Sequence, residues 1–352
     1  MNSIHKITAQ KIRNLKNTLP NSVLEKHLEL QPKLKEQYDD RLKQFYLDDT
    51  RYHLSYLAES IAAVEPVLFT EYMSWAKTFF STLPIDEDDL IQNFELIRDT
   101  LGIYLNAEES QISTSLLDEG IKKFKSQIPS PPSFILESNP LNDVANNYLN
   151  YLIDVDKKSA HDIIMNTFQD GASIKDIYLN VFQVTQKETG RLWQLGIITV
   201  AQEHFITAAT QLIMSQLYPY LFSSAKKKKT IIVSCINGEL HELGARMVAD
   251  LFEMEGWNTY YFGSNTPQRS LINSIEVYNP DILAISSTMT FNLNSVSELV
   301  ERVKTNPKTK NTKILVGGYP FILADNLWQN IGADGFASNA ESAIEIASTF
   351  LN

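Results

Sequence analysis

The residues best equipped for chemistry lie in one short stretch, Glu239-Leu240-His241-Glu242-Leu243-Gly244. A neutral imidazole can give one ring nitrogen to a metal while the other donates to an oxygen acceptor. A carboxylate in reach then fixes the tautomer and strengthens the ring's basicity. His241 is on that ground a candidate metal ligand, and Glu239, two residues before it, its orienting partner. A surface histidine at a helix start has the same local pattern, and the segment alone leaves both readings open. Upstream, Ile231, Ile232 and Val233 are β-branched and apolar, and the run closes at Asn237-Gly238, as a buried strand does. Downstream, Ala245, Val248, Ala249, Leu251 and Phe252 carry helical spacing. His241 therefore falls on the loop leaving the carboxyl end of a first strand, the edge where open α/β sheets bind ligands.

Three further features line up with His241. Asp281 to Thr288 reads as a strand ending in hydroxyls, with Ser286 and Thr288 as candidate binding residues. Val316-Gly317-Gly318 ends the next strand, and paired glycines there let a ligand approach the backbone closely. Gly332-Ala333-Asp334-Gly335 precedes a fifth. A double glycine alone says little, but the ordered set E-x-H-x-x-G, S-x-T, G-G at successive strand ends is specific.

The elements that must position these residues follow from periodicity. Strands are expected at 230–236, 258–263, 281–286, 313–317 and 334–337, with helices at 242–256, 267–277, 293–305, 323–330 and 340–351. Five such units imply a doubly wound parallel sheet in the flavodoxin-like order, a Rossmann-like domain over 229–352. Before it, residues 141–222 carry four helical stretches, at 143–153, 159–168, 174–190 and from the Thr199 cap to about Tyr220. Arg191 to Gly196 reads as a turn, and the whole as an antiparallel four-helix bundle. Residues 129–140, with Pro129, Pro131, Pro132 and Pro140, form a linker.

Residues 1–128 read as an N-terminal helical module, with a loose, polar start over 1–20 and a charged amphipathic helix from Leu24 to Leu42. Its aromatic helices run from Arg51 to Leu83, with Pro66 as kink or start, from Asp86 to Leu105 and from Ser110 to Ile128. The aromatics are read first as core, with a cofactor box as the alternative. His5, His27 and His161 fall on a loose start, a charged helix and a polar face, and are given no role.

Bulk composition narrows the classes. The 352 residues are 43% hydrophobic, enough for two or three cores. A net charge of −11 argues against a nucleic-acid footprint, and the basic run Lys226 to Lys229 reads as a solvated linker. The single cysteine, Cys235, excludes an internal disulfide and any multi-cysteine zinc site. No stretch approaches the ~18 uninterrupted apolar residues of a membrane span, and the first residues lack the apolar core of a secretory signal. A cytoplasmic protein without membrane or direct nucleic-acid partners is expected.

With these residues in place, the chain resembles the cobalamin-binding domain family over about residues 141–350. In that family the histidine of a D/E-x-H-x-x-G loop replaces the cofactor's own base as lower ligand of cobalt. The resemblance implies His241 as the metal ligand, with Glu239 and Gly244 completing the loop. It further implies Ser286 and Thr288 as the hydroxyl pair, and Gly317 and Gly318 along the nucleotide-tail channel. Upstream, Trp193 followed after nine residues by Glu203-His204 is similar to the signature of CarH-like light-responsive regulators. There the tryptophan and the Glu-His pair cover the upper corrin face and enclose an adenosyl group. A bundle anchor at Trp193 and an exposed helix start at Glu203-His204 are the plain alternatives.

The chain departs from that subgroup twice. Gln194 stands where the second histidine ligand would follow the tryptophan, leaving His204 as the nearest replacement, and an acidic helical module replaces the DNA-binding domain. A light-responsive core behind an unfamiliar module is similar to the photocobilins, which add a bilin to the cobalamin. The implied function is a photoreceptor, not an enzyme, that uses adenosylcobalamin with biliverdin as a further chromophore. Light would drive a conformational or oligomeric signal to a homo-oligomer or a signalling partner. His53 and Tyr56 are candidates to contact the bilin, which would be non-covalent because Cys235 lies inside the first strand. The competing reading is a corrinoid methyl carrier of a methyltransferase system, which shares the His241 loop and the bundle. A mutase subunit is set aside, since no substrate barrel is present.

Overall fold

The computed structural model describes residues 3–32, 38–221 and 225–350. Its five strands are β1 (Thr230–Cys235), β2 (Asn258–Tyr261), β3 (Ile282–Ser286), β4 (Lys313–Gly317) and β5 (Gly335–Ala337). They pair in parallel in the order β2-β1-β3-β4-β5. That is the doubly wound, flavodoxin-like sheet the alternating pattern predicts. β1 is covered on both faces: Ile231, Ile232, Val233, Ser234 and Cys235 are all buried, hence its continuous apolar run. Register places Cys235 beside Ser286, and Ser286 beside Gly317. The three strand ends that carry the candidate residues are thus immediate neighbours.

By contact, the chain divides into two compact units. The first comprises the chain up to Pro129 with the short segments Met289–Asn294 and Tyr319–Asn330. Its helices are α1 (Ser3–Leu15), α2 (Leu19–Leu30), α3 (Asp40–Ala63), α4 (Pro66–Phe80), α5 (Glu87–Tyr104) and α6 (Ala107–Ser126). The expected loose start is instead helical. Thr8, Ala9 and Ile12 form a fully buried stripe, and Lys11 and Arg13 pair with the buried Glu109 and Glu59. The polar composition of the segment hides a three-residue apolar face. The expected helix from Leu24 to Leu42 is interrupted: α2 ends at Leu30 and α3 begins at Asp40, capped by the Asp39 side chain. Residues 33–37 of that stretch lie outside the described residues. Pro66 occupies the first turn of α4, where its missing N–H costs nothing. A capping box of Asn106 and Glu109 starts α6.

The second unit holds the bundle and the sheet. The bundle helices are α7 (Asn142–Ile153), α8 (Lys157–Gln169), α9 and α10 (Val200–Leu217). α9 runs Ile174–Ile177, passes through a π turn at Tyr178–Phe182 and continues as Gln183–Gln194. The turn expected from Arg191 begins later, since α9 persists to Gln194 and the reversal falls at Gly196, whose φ is 66°. Thr199 caps α10 and forms a capping box with Gln202.

The helices that follow the strands in the chain are α11 (Leu243–Met254), α12 (Gln268–Tyr278), α13 (Leu293–Thr305), α14 (Tyr319–Leu323), α15 (Leu327–Asn330) and α16 (Ala340–Thr349), of which α14 and α15 belong to the first unit. The single helix expected over 323–330 is these two short pieces, α14 and α15. The bundle core is continuous with α11: Leu243, Met247 and Leu251 join Tyr178, Val181, Phe182, Ile213 and Leu217 in one apolar cluster. No helix among the described residues is long and apolar enough to cross a membrane.

Candidate functional site

β1 ends at Cys235, and the turn Asn237-Gly238 returns the chain so that Glu239 lies under the loop. The Glu239 side chain is fully buried. A buried carboxylate persists only when its oxygens are satisfied, and here they accept three N–H groups. Oε1 takes the backbone N–H of His241 at 3.0 Å and its Nδ1 at 2.6 Å; Oε2 takes the backbone N–H of Thr288 at 2.8 Å. Because an ionised carboxylate only accepts, the imidazole proton sits on Nδ1 and the neutral ring presents Nε2. The hydrogen bond to Glu239 is also the main cause that raises the His241 pKa above the ordinary histidine value. The ring is 61% exposed. An oriented imidazole with one nitrogen open is therefore what this loop builds.

The loop is held from the side as well. Asn265, in a left-handed conformation with φ 49°, accepts the Gly238 N–H through Oδ1 at 2.8 Å and donates its own N–H to the Glu239 carbonyl at 2.8 Å. The Ser234 hydroxyl donates to Thr266 Oγ1 at 2.9 Å. Glu242, next to His241, accepts from Gln211 of α10, from the Ser264 N–H and from the Tyr261 hydroxyl. Sequence reasoning missed Asn265, Glu242 and Gln211. Gly263-Ser264-Asn265 was readable as a turn, but nothing local indicates which loop it grips.

Among the expected binding residues, Thr288 meets the site through its main-chain N–H, bonded to Glu239. Ser286, half-buried, ends β3 next to Gly317. Gly318 has a reason other than ligand approach. Its φ is +114°, and a Cβ there would lie 2.0 Å from the Ser287 carbonyl oxygen, so the neighbouring strand end requires glycine. At Gly317 a Cβ would come within 3.2 Å of the Ala337 carbonyl oxygen. Gly244 differs from both: a Cβ there meets nothing within 4 Å. The first turn of α11 is thus bare beside the exposed His241 and Leu240.

In the bundle, Trp193 is half-buried against the core. Glu203 accepts the Thr207 hydroxyl at 3.1 Å and lies near enough to His241 to contribute to its raised pKa. His204 is 76% exposed, with Nε2 3.5 Å from Glu203. Gln194 is buried. Cys235 is buried in β1, and burial pushes its thiol up to about 12, so it is no nucleophile.

The two residues expected to meet a bilin are used elsewhere. His53 is buried, bonds the Tyr72 hydroxyl at 2.6 Å and lies 4.6 Å from the Phe94 ring centre. Tyr56 stacks on Tyr72 at 3.8 Å. These side chains fill each other's space as a core. Two helix-borne histidines also differ from expectation: His27 is buried and bonds Tyr46 at 2.9 Å, and His5 lies in α1 rather than in a loose start.

Comparison with known proteins identifies the class. Residues 229–347 match a family described as "B12 binding domain", and residues 144–218 match a second family of the same description. These two stretches belong to the cobalamin-binding domain family. Similar proteins include dimethylamine corrinoid protein 1 of Methanosarcina acetivorans, 27% identical over 130 residues, 37% of this chain and 60% of that protein. The dimethylamine corrinoid protein of Methanosarcina barkeri is 29% identical over the same shares. Dimethylamine corrinoid protein 3 of Methanosarcina acetivorans is 28% identical over 47% of this chain and 74% of its own length. The chain thus spans about 60% of the length of the first two relatives. The solved Methanosarcina barkeri monomethylamine corrinoid protein shares the fold, with TM-score 0.54 and 20% identity, over 59% of this chain and 99% of its own.

These relatives overturn the light-sensing reading. They are named as corrinoid proteins of methylamines, which favours the carrier reading set beside it. The adenosyl group and the signalling partner were implied by the CarH-like resemblance and the bilin by the photocobilin one, and all three lose their ground with the light-sensing reading.

The residues present fit a corrinoid. A lone imidazole supplies one ligand, which suits a metal that brings its other ligands in a macrocycle. Among the described residues no group of three or more His, Cys, Asp or Glu gathers to hold an ion. The bare first turn of α11 at Gly244 directly follows the loop that carries the open Nε2.

Proposed function

We propose that this protein is a corrinoid methyl carrier that works with methyltransferases. The observation that carries the reading is the exposed His241 imidazole, fixed through Nδ1 by the fully buried Glu239, within a stretch matching the B12 binding domain. The names of its relatives as dimethylamine corrinoid proteins support the methyl chemistry. Bound to the chain, a cobalt corrinoid supplies a centre that accepts a methyl group from one donor and yields it to another acceptor.

The chain's own residues hold and orient. Glu239 keeps the proton on Nδ1 so that Nε2 of His241 would be free to hold the cobalt, and the Thr288 N–H satisfies Oε2 of Glu239. Ser286, at the end of β3, and Gly244, where a Cβ would meet nothing within 4 Å, would flank a bound nucleotide tail, while Gly317 and Gly318 would shape the strand end beside it. Trp193, Glu203 and His204, on residues 141–222, would shield a bound corrinoid from water on the bundle side, while residues 229–352 would hold it through His241. Residues 1–128 supply the N-terminal helices.

The test loads the full chain with hydroxocobalamin and follows retention through gel filtration, then the cobalt(II) electron paramagnetic resonance spectrum. Retention with a nitrogen splitting that His241→Ala removes is expected. Loaded instead with methylcobalamin, the protein should pass its methyl group to a thiol when a corrinoid-dependent methyltransferase is added. Loss of corrinoid on the column, or a methyl group that never leaves, refutes the carrier.

A further inference from the structure

Glu242 occupies the N-cap position of α11, yet its side chain does not cap that helix. It reaches sideways instead. Oε1 accepts Gln211 Nε2 of α10 at 3.0 Å; Oε2 accepts the Ser264 N–H at 3.0 Å and the Tyr261 hydroxyl at 3.3 Å. One carboxylate thus joins the His241 loop, the end of β2 and the bundle. Gly263 is shaped around it, since a Cβ there would lie 3.3 Å from Oε2.

The bond to Gln211 is the first rung of a polar seam. Arg246 Nη2 donates to Ser215 Oγ at 2.9 Å, and the Tyr218 hydroxyl donates to Glu253 at 3.2 Å. Beside these the Tyr178 hydroxyl donates to the buried Asp250 at 2.9 Å. The rungs fall at Gln211, Ser215 and Tyr218 on α10 and the turn that follows it, and at Glu242, Arg246 and Glu253 along α11, spacings of three, four and seven residues that keep them on one face of each. The rest of the contact is apolar and tolerant of sliding, whereas hydrogen bonds have one register. The seam therefore fixes where α10 sits along α11, and its upper rung falls one residue from His241.

His241 is bracketed in consequence. Glu239 holds the ring from the amino side and Glu242 holds the backbone from the carboxyl side, the latter with the bundle as partner. We propose that Gln211 and Glu242 are positioning residues for His241: with α10 seated, their hydrogen bond keeps the imidazole loop in its ligating pose, and a displaced bundle weakens ligation. This rests on the corrinoid reading, with His241 as lower ligand.

The experiment uses the full chain loaded with hydroxocobalamin and reduced to cobalt(II), read by the nitrogen splitting that reports an imidazole ligand. Gln211→Leu, which removes the donor, is expected to weaken histidine ligation roughly tenfold, the lower end for loss of a supporting partner of a metal ligand. Gln211→Glu sets two carboxylates face to face and should weaken it further. The double change Gln211→Glu with Glu242→Gln reverses the donor and acceptor and should restore ligation. Circular dichroism checks that each variant is folded. If wild type ligates through His241, as His241→Ala reports, yet Gln211→Leu ligates as wild type does, or the reversed pair fails to restore a weakened spectrum, the coupling is overturned. If wild type shows no imidazole splitting at all, the corrinoid reading itself fails and takes the coupling with it.

Discussion

The helical module and the sheet unit both place a histidine next to a hydrogen-bonding partner, and they use it in opposite ways. In the module, His53 is buried among Tyr72, Phe80 and Phe94, bonded to a neutral phenol, and burial pushes its pKa down to about 3. In the sheet unit, His241 is exposed, bonded to a buried carboxylate, and its pKa is raised. The first is a polar atom dissolved in a core; the second is an open nitrogen on a fixed mount. Partner charge and the freedom of the second nitrogen separate a packing histidine from a ligand, where sequence spacing alone does not.

Four measurements test that contrast. His53→Ala removes a buried ring and strands the Tyr72 hydroxyl, so the module should lose about 3 kcal/mol. His241→Ala, exposed, should stay within about 0.5 kcal/mol of wild type. Amide hydrogen exchange of α3 and of α11 reads the two separately, and equal losses would dissolve the distinction. Glu239→Ala leaves the ring without its anchor and two backbone N–H groups unpaired, and corrinoid affinity should fall by roughly 10–100-fold. An isothermal titration with hydroxocobalamin measures it.

Acid sharpens the comparison. The folded His53 binds its proton only near pH 3, whereas the unfolded chain binds it near the ordinary histidine value, 6.5. The unfolded state therefore gains protons first, and stability falls as pH drops through that window. From pH 7 to 5.5 the loss should be about 1.3 kcal/mol relative to His53→Gln, whose side chain does not titrate. Asp49, raised to about 6 by burial, titrates in the same module with the opposite sign. It is common to both proteins, so the difference isolates His53. A flat difference across pH in the α3 exchange rates would mean the buried ring is not neutral. The smallest effect is expected at Thr199, whose hydroxyl caps α10. Thr199→Ala should cost about 0.5–1 kcal/mol in α10 exchange, with α3 unchanged.

Much of the sheet unit was legible because its signals are local. Ile231 to Val233 and Ile282 to Ile285 are uninterrupted apolar runs, and Glu239 and His241 sit on one turn, so their meeting follows from chain geometry. What was not legible depends on partners distant in sequence. Gln211 and Glu242 lie 31 residues apart, and neither type announces the other. Thr288 was chosen for its hydroxyl, but the site uses its backbone N–H, which every residue except proline carries. Gly318 was read as room for a ligand, while the Ser287 carbonyl supplies the reason for it. The helix α1 was hidden because its inward face is short, with Thr8, Ala9 and Ile12 fully buried and Leu15 packed beside them in a polar segment. Resemblance in the Trp193 and Glu203-His204 spacing pointed towards light, and the relatives of the whole matched region turn it towards carriers.

The π turn at Tyr178–Phe182 has its own consequence for the bundle. Such a turn holds one residue more than the α-helix around it, and each residue of an α-helix advances the azimuth by ~100°. Excising a single amino acid there would let α9 run as a regular helix with Trp193 still on the bundle core it now packs on, whereas excising one from the regular stretch Gln183–Gln194 before it would turn the indole by ~100°. The turn thus works as a spacer, taking up one extra residue while the indole keeps its aim.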